Sequence, residues 1–124
     1  MRSLRMALPA LILLLGPVGA FAQDVDGVLP AHAPLFLSSA DQGPWLAADK
    51  ELHVAGSLAI AASLRVEGQR RGASVVAAFG VGVFKEAYDA VIKPRRMGRG
   101  ASWKDLAADL AGALAGVALV SALD

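Results

Sequence analysis

From Trp45 onward, apolar residues recur at helical spacing, with alanine, leucine and valine dominant and strand signals weak. The first predicted helix runs from about Asp49 to Val66, and Glu67-Gly68-Gln69 breaks it. The second runs from about Ala73 to Ile92. Pro94 ends it, because proline cannot continue the hydrogen-bond ladder and disfavours helix in the residue before it. Lys93 and Arg95 suit the negative end of that helix's dipole. Ser102 opens the third helix. Its S-x-x-D sequence, Ser102 to Asp105, reads as a capping box in which the hydroxyl takes the Asp105 amide and the Asp105 carboxylate reaches back. This helix continues to about Leu123. Short turns make successive helices antiparallel, so the pattern predicts an all-α fold, a three-helix antiparallel bundle over residues 45–124.

The preceding residues follow other patterns. Arg2 and Arg5, an apolar run from Ala7 to Ala20, and the small residues of Ala20-Phe21-Ala22 make residues 1–22 read as a secretory signal peptide, with cleavage expected after Ala22. The apolar run is short for a permanent span. Residues 23–44 hold three prolines and no helical period, and read as an extended arm that Leu35-Phe36-Leu37 would pack onto the domain. His32, between Pro30 and Pro34, reads as a solvated side chain.

Composition sharpens the picture. The chain has 124 residues, is 56% hydrophobic and has no cysteine, and its mean hydropathy is +0.52. This length suits a single domain. A net charge of +1 argues against a surface that tracks phosphates, so no nucleic-acid partner is expected. Without cysteine there is neither a disulfide framework nor a lipid-acceptor thiol. An exported domain this small must then be held by its apolar core, a partner or a membrane. The uncharged runs Val54–Leu64, Gly72–Phe84 and Leu110–Leu123 each fall short of the roughly 20 residues of a span. Basic residues flank both bundle ends, so a positive-inside bias fixes no orientation. Ala108, Gly112 and Gly116 form a small-x-x-x-small stripe suited to close helix packing in lipid or in an alanine-rich bundle. A domain lying on or beside a membrane is the expectation, with true spans as the rival.

Antiparallel packing gathers the ionisable residues at one end. The first helix brings Asp49, Lys50 and His53, the second Lys85, Glu86 and Asp89, and the third Lys104, Asp105 and Asp109. The pairs Asp49/His53, Glu86/Asp89 and Asp105/Asp109 each share a helix face. Bland roles explain several of them. Asp49 suits a helix start, Asp105 the capping box, Lys85 and Asp89 an i,i+4 pair, and Lys104 can snorkel. Asp109 lies in an apolar stretch where a buried carboxylate must be paired or neutralised, and Glu86 poses the same problem. The simplest resolution is one polar cluster of His53, Glu86, Asp89 and Asp109. It can hold helix register, bind a divalent metal through imidazole and carboxylates, or do acid/base work through His53. No H-E-x-x-H, nucleophile elbow or phosphate loop is present, and Ser57 and Ser63 have no nucleophile context.

The series D-K-x-x-H at Asp49–His53, K-E-x-Y-D at Lys85–Asp89 and S-W-x-D-x-x-x-D-x-x-G-x-x-x-G at Ser102–Gly116 resembles the YfiM-like family of predicted periplasmic lipoproteins, a domain of unknown function. The likeness covers about residues 45–120. A looser one exists to VanZ-like membrane proteins, which share an Asp-Lys and His start, a central Glu and an Asp- and Gly-rich last helix. The resemblance implies signature positions at Asp49, Lys50, His53, Glu86, Asp89, Asp105 and Gly112, and implies no established activity. No cysteine follows the signal here, which departs from the lipoprotein pattern. Asp109 stands where relatives are expected to carry Asn.

These readings lead to an exported, membrane-associated helical envelope protein. Its polar cluster has a binding or structural role, and its partner is a membrane surface or envelope component. The rival is a metal- or histidine-assisted hydrolase of an envelope lipid or glycan, built on the same residues. A third reading is an integral membrane protein that meets a partner helix through Gly112 and Gly116.

Overall fold

The computed structural model describes residues 34–124; the predicted signal peptide, most of the arm and His32 lie outside them. Three helices follow in order: α1 (Ala48–Val66), α2 (Arg71–Val91) and α3 (Trp103–Ser121), with a 3-10 turn at Arg95–Met97 before α3. Successive helices run antiparallel in one all-α bundle, so α1 and α3 run parallel, and these two pack most closely.

The helix ends have local causes. The backbone folds back after α1 through Gly68, whose φ of +84° places it in the left-handed region that glycine adopts without strain. Helix α2 starts two residues earlier than its apolar pattern predicts, because the Arg70 carbonyl accepts from both the amide and the hydroxyl of Ser74. The last turn of α2 closes when the Tyr88 carbonyl accepts from the Ile92 and Lys93 amides, ahead of Pro94. At α3, the Ser102 hydroxyl accepts from the Asp105 amide at 3.1 Å, the first half of the predicted capping box.

The distribution of polarity is inverted. The buried apolar cluster consists of Ala61, Ala78, Ala113 and Val117. Around it α2 buries Ser74, Gly82, Glu86 and Asp89, and α3 buries Lys104, Asp105, Asp109, Gly112 and Gly116. The large side chains face outward: Val76, Val83, Phe84, Tyr88 and Val91 on α2, and Trp103, Leu110, Leu114 and Leu119 on α3. Phe84 is 77% exposed. Small inward residues allow close helix approach. At Gly112 an added Cβ would overlap the Val54 carbonyl of α1, and at Gly116 the Leu58 carbonyl. No described helix is long and apolar enough to cross a membrane.

The described part of the arm docks through its backbone more than through its apolar side chains. The Leu37 amide donates to the Ala101 carbonyl at 3.0 Å, and the Ala101 amide donates to the Leu35 carbonyl at 2.8 Å. Phe36 and Ala101 thus form an isolated parallel bridge. Leu35 and Phe36 stay exposed. Leu37 lies over Gly100, where a Cβ would strike its side chain.

Candidate functional site

The polar centre lies where the start of α1, the end of α2 and the start of α3 meet. Its middle is His53. Asp109 Oδ2 is 2.9 Å from His53 Nδ1, and Asp105 Oδ2 is 3.4 Å from Nε2. An ionised carboxylate only accepts, so the Asp109 contact assigns the proton to Nδ1. The other Asp109 oxygen accepts from the Ser57 hydroxyl at 2.7 Å. Asp109 is 3% exposed and fully occupied by these donors, with α2 pressed against it at Gly82, where a Cβ would overlap its carboxylate.

Glu86 is as deeply buried. One oxygen accepts from the Ser102 amide at 2.6 Å and the other from Lys85 Nζ at 2.7 Å. The second half of the predicted capping box is therefore replaced. The Ser102 amide goes to Glu86 on a neighbouring helix, which frees the Asp105 carboxylate to turn inward. There Asp105 Oδ1 lies 2.9 Å from Lys50 Nζ. This is a close ion pair without directed hydrogen-bond geometry, for Oδ1 is buried and receives no hydrogen bond. Lys85 Nζ bridges Glu86, Asp89 at 3.0 Å and Asp105 at 3.7 Å. The expected Lys85/Asp89 i,i+4 pair is thus present, and Lys93 reaches Asp89 at 3.7 Å. Asp49 sits in the first turn of α1, with Lys50 Nζ 2.6 Å from its carboxylate.

Two members carried no clear sequence signal. Ser57 is one; its only hint is the i,i+4 spacing from His53, which puts both on the face toward Asp109. Gln42 is the other. It is buried in the arm, where its side chain accepts from the Ser102 hydroxyl and the Lys104 amide and donates to the Leu37 carbonyl. Lys50 also donates to the Gln42 carbonyl. Lys104 does not snorkel outward as expected. It is buried, donates to the Ser39 and Gly43 carbonyls at 3.1 and 2.8 Å, and lies 5.6 Å from the centre of the Trp45 ring. The arm's carbonyls and the indole hold the ammonium in place.

The metal-ligand geometry differs from the expected set. Among the described residues, the group whose ligand atoms lie within 4.8 Å of one another is His53, Glu86 and Asp105. Asp109 stands behind the imidazole, and Asp89 stands behind Lys85. No serine nucleophile is arranged here, because Ser57 donates to Asp109 and not to His53. An apolar groove of about 470 Å³ runs beside the polar centre along α1 and α3, lined by Trp45, Leu46, Val54, Leu58 and Ala111, with Lys50 and Glu51 as its charged members.

Burial disfavours the charged form of Lys50, but the hydrogen bond to Asp49 and the charges of Asp49 and Asp105 outweigh it and hold the ammonium above its ordinary 10.5. Burial likewise opposes Lys85, and Glu86 and Asp89 overcome it, raising that lysine too. At Asp49, burial acts upward, but the Lys50 ammonium prevails and sets the carboxyl below 3.8. A raised lysine contributes stability that is complete below 10.5 and lost as pH rises through its folded value. A lowered carboxyl contributes stability present above 3.8 and lost as pH falls through its folded value. Helical circular dichroism during heating should therefore show the melting temperature dropping above pH 10.5 and again below 3.8. An unchanged melting temperature through the alkaline limb would contradict the lysine pairing.

No family model, curated protein or solved structure matches this chain.

Proposed function

We propose that this chain is an exported, membrane-associated envelope protein whose helices rest against lipid with their outer faces and enclose a polar binding centre. The observation that carries the reading is the inverted polarity. Val76, Phe84, Leu114 and Leu119 face outward, while Glu86, Asp105 and Asp109 are inside. In water, an apolar face this extensive is a liability; against acyl chains it is favourable, at about 25 cal/mol per Å² covered. The small-residue packing at Gly112 and Gly116 suits the same setting, where helix association draws on close backbone contact. Trp45 and Trp103 meet edge-on at 5.1 Å at the polar end, and Tyr88 in the last turns of α2 is exposed. Aromatic side chains of this type favour the boundary between lipid tails and water. The basic segment Arg95, Arg96 and Arg99 follows α2 at that end and suits anionic headgroups.

The test is flotation of the chain with vesicles of phosphatidylglycerol and phosphatidylethanolamine. The chain should float with the vesicles. Phe84→Glu combined with Leu114→Glu should lower recovery at least several-fold without loss of helical signal, because both side chains are exposed and removing them leaves the interior packing in place. A chain that stays monomeric in the aqueous fraction, with vesicles in excess, defeats the proposal.

A further inference from the structure

The geometry points to a divalent-cation site formed by His53 Nε2, Asp105 and Glu86, with Asp109 orienting the imidazole and Lys85 standing at the mouth as a displaceable ammonium.

The first argument is a lone pair. With Nδ1 donating to Asp109, a neutral His53 presents its Nε2 lone pair to Asp105 Oδ2 at 3.4 Å. Two electron-rich atoms at that distance repel unless a positive centre lies between them. A tetrahedral zinc ion with bonds of about 2.0 Å sets its ligands roughly 3.3 Å apart. The Nε2–Oδ2 pair already has that spacing, and Glu86 completes a set within 4.8 Å. Glu86 has to approach further to complete the set, and three protein ligands leave an open position for water.

The second argument is independent of His53. Asp105 Oδ1 has the Lys50 ammonium at 2.9 Å, whereas Oδ2, the oxygen on the ligand side, has its ammonium, Lys85 Nζ, only at 3.7 Å. The surrounding charge is incomplete as well. Asp49, Glu86, Asp89, Asp105 and Asp109 outnumber Lys50, Lys85 and Lys93, the ammoniums paired with them. A divalent cation supplies what is missing.

Lys85 is the natural gate. Its ammonium touches Glu86 and approaches Asp105, two of the three ligand groups, while its side chain is 40% exposed. A lysine stem is long and freely rotating, so the ammonium can swing to Asp89 or to solvent when an ion takes its place. The Asp109–His53 pair matches the carboxylate–histidine arrangement that fixes ring orientation and raises ligand basicity in metal sites. One imidazole with two carboxylates suits the zinc and manganese class.

This inference gives the proposed binding centre its ligand and rests on that centre being a binding site. Flotation reads lipid contact and zinc titration reads the site, so either can fail alone. The full chain, carrying no polyhistidine tag, is titrated with zinc by calorimetry. One equivalent should bind. Asp105→Asn and His53→Ala should each weaken binding at least ten-fold, Lys85→Ala should strengthen it, and His32→Ala should leave it unchanged. Nitrogen-15 spectra of the intact chain remove any dependence on variant folding: zinc should shift the resonance of His53 Nε2, which carries no hydrogen, while Nδ1–H is retained. Zinc in excess with both ring N–H signals retained identifies an imidazolium clamped between Asp105 and Asp109 and overturns the site. Binding that depends on His32 or ignores Asp105→Asn overturns it equally.

Discussion

Asp109→Ala should destabilise the fold by about 3–5 kcal/mol, the usual cost of removing one partner from a buried ion pair or charged hydrogen-bond network. The side chain is almost wholly buried and accepts from both His53 and Ser57. Its removal leaves the imidazole and hydroxyl without acceptors and opens a void beside Gly82. A domain of this size has a total stability of about 5–15 kcal/mol. The variant should therefore melt tens of degrees lower, at 4–8 °C per kcal/mol for about 60–100 residues. Asp109→Asn should be milder but still harmful, since an amide offers one oxygen where two donors converge. Thermal or denaturant unfolding followed by helical circular dichroism measures both. A loss of less than about 1 kcal/mol for Asp109→Ala, the range of an exposed pair, would mean that the carboxylate is solvated.

Gly112→Val should be the most damaging change in the helix-packing stripe. The new side chain would overlap the Val54 carbonyl, a backbone group that cannot rotate away as a flexible side chain can. Overpacking commonly costs about 1–3 kcal/mol, and here α1 and α3 must part along their closest contact, so the upper end or beyond is expected. Gly116→Val should act similarly through Leu58. Gly80→Ala is the contrasting case. Nothing lies within 4 Å of its added Cβ, and within a helix alanine is favoured over glycine by about 0.5–1 kcal/mol. Gly80→Ala should therefore raise the melting temperature slightly while Gly112→Val lowers it by about 10 °C or more, at roughly 4–8 °C per kcal/mol. Equal effects at the two glycines would contradict the close approach of α1 and α3.

The helices were legible because each carries its own punctuation: Gly68 after α1, Pro94 after α2 and the Ser102 hydroxyl before α3. The convergence of His53, Glu86, Asp105 and Asp109 was legible in outline, since short turns leave few ways to arrange three helices. The partners within the centre were not. Local sequence assigned Asp105 to its own helix cap, a short-range contact that spacing encodes. The Ser102 amide instead meets Glu86, sixteen residues away, and nothing local signals that choice. Ser57 passed as an ordinary small polar residue because its acceptor lies 52 positions along the chain. Gln42 carries no local signal for the same reason, and Lys104 reads as a cation able to snorkel, because their partners lie across the junction of arm and α3. The inverted polarity was visible only as alanine and glycine abundance. Which face of each helix turned inward depended on where the charged residues had to converge.

The junction of arm and α3 also constrains the order of assembly. Ala101 pairs with Leu35 and Leu37, and Gln42 caps the start of α3 from about sixty residues upstream. The arm residues are translated before α3. A nascent fragment lacking α3 cannot close its charged interior, so this part of the chain completes its fold only once α3 has been made.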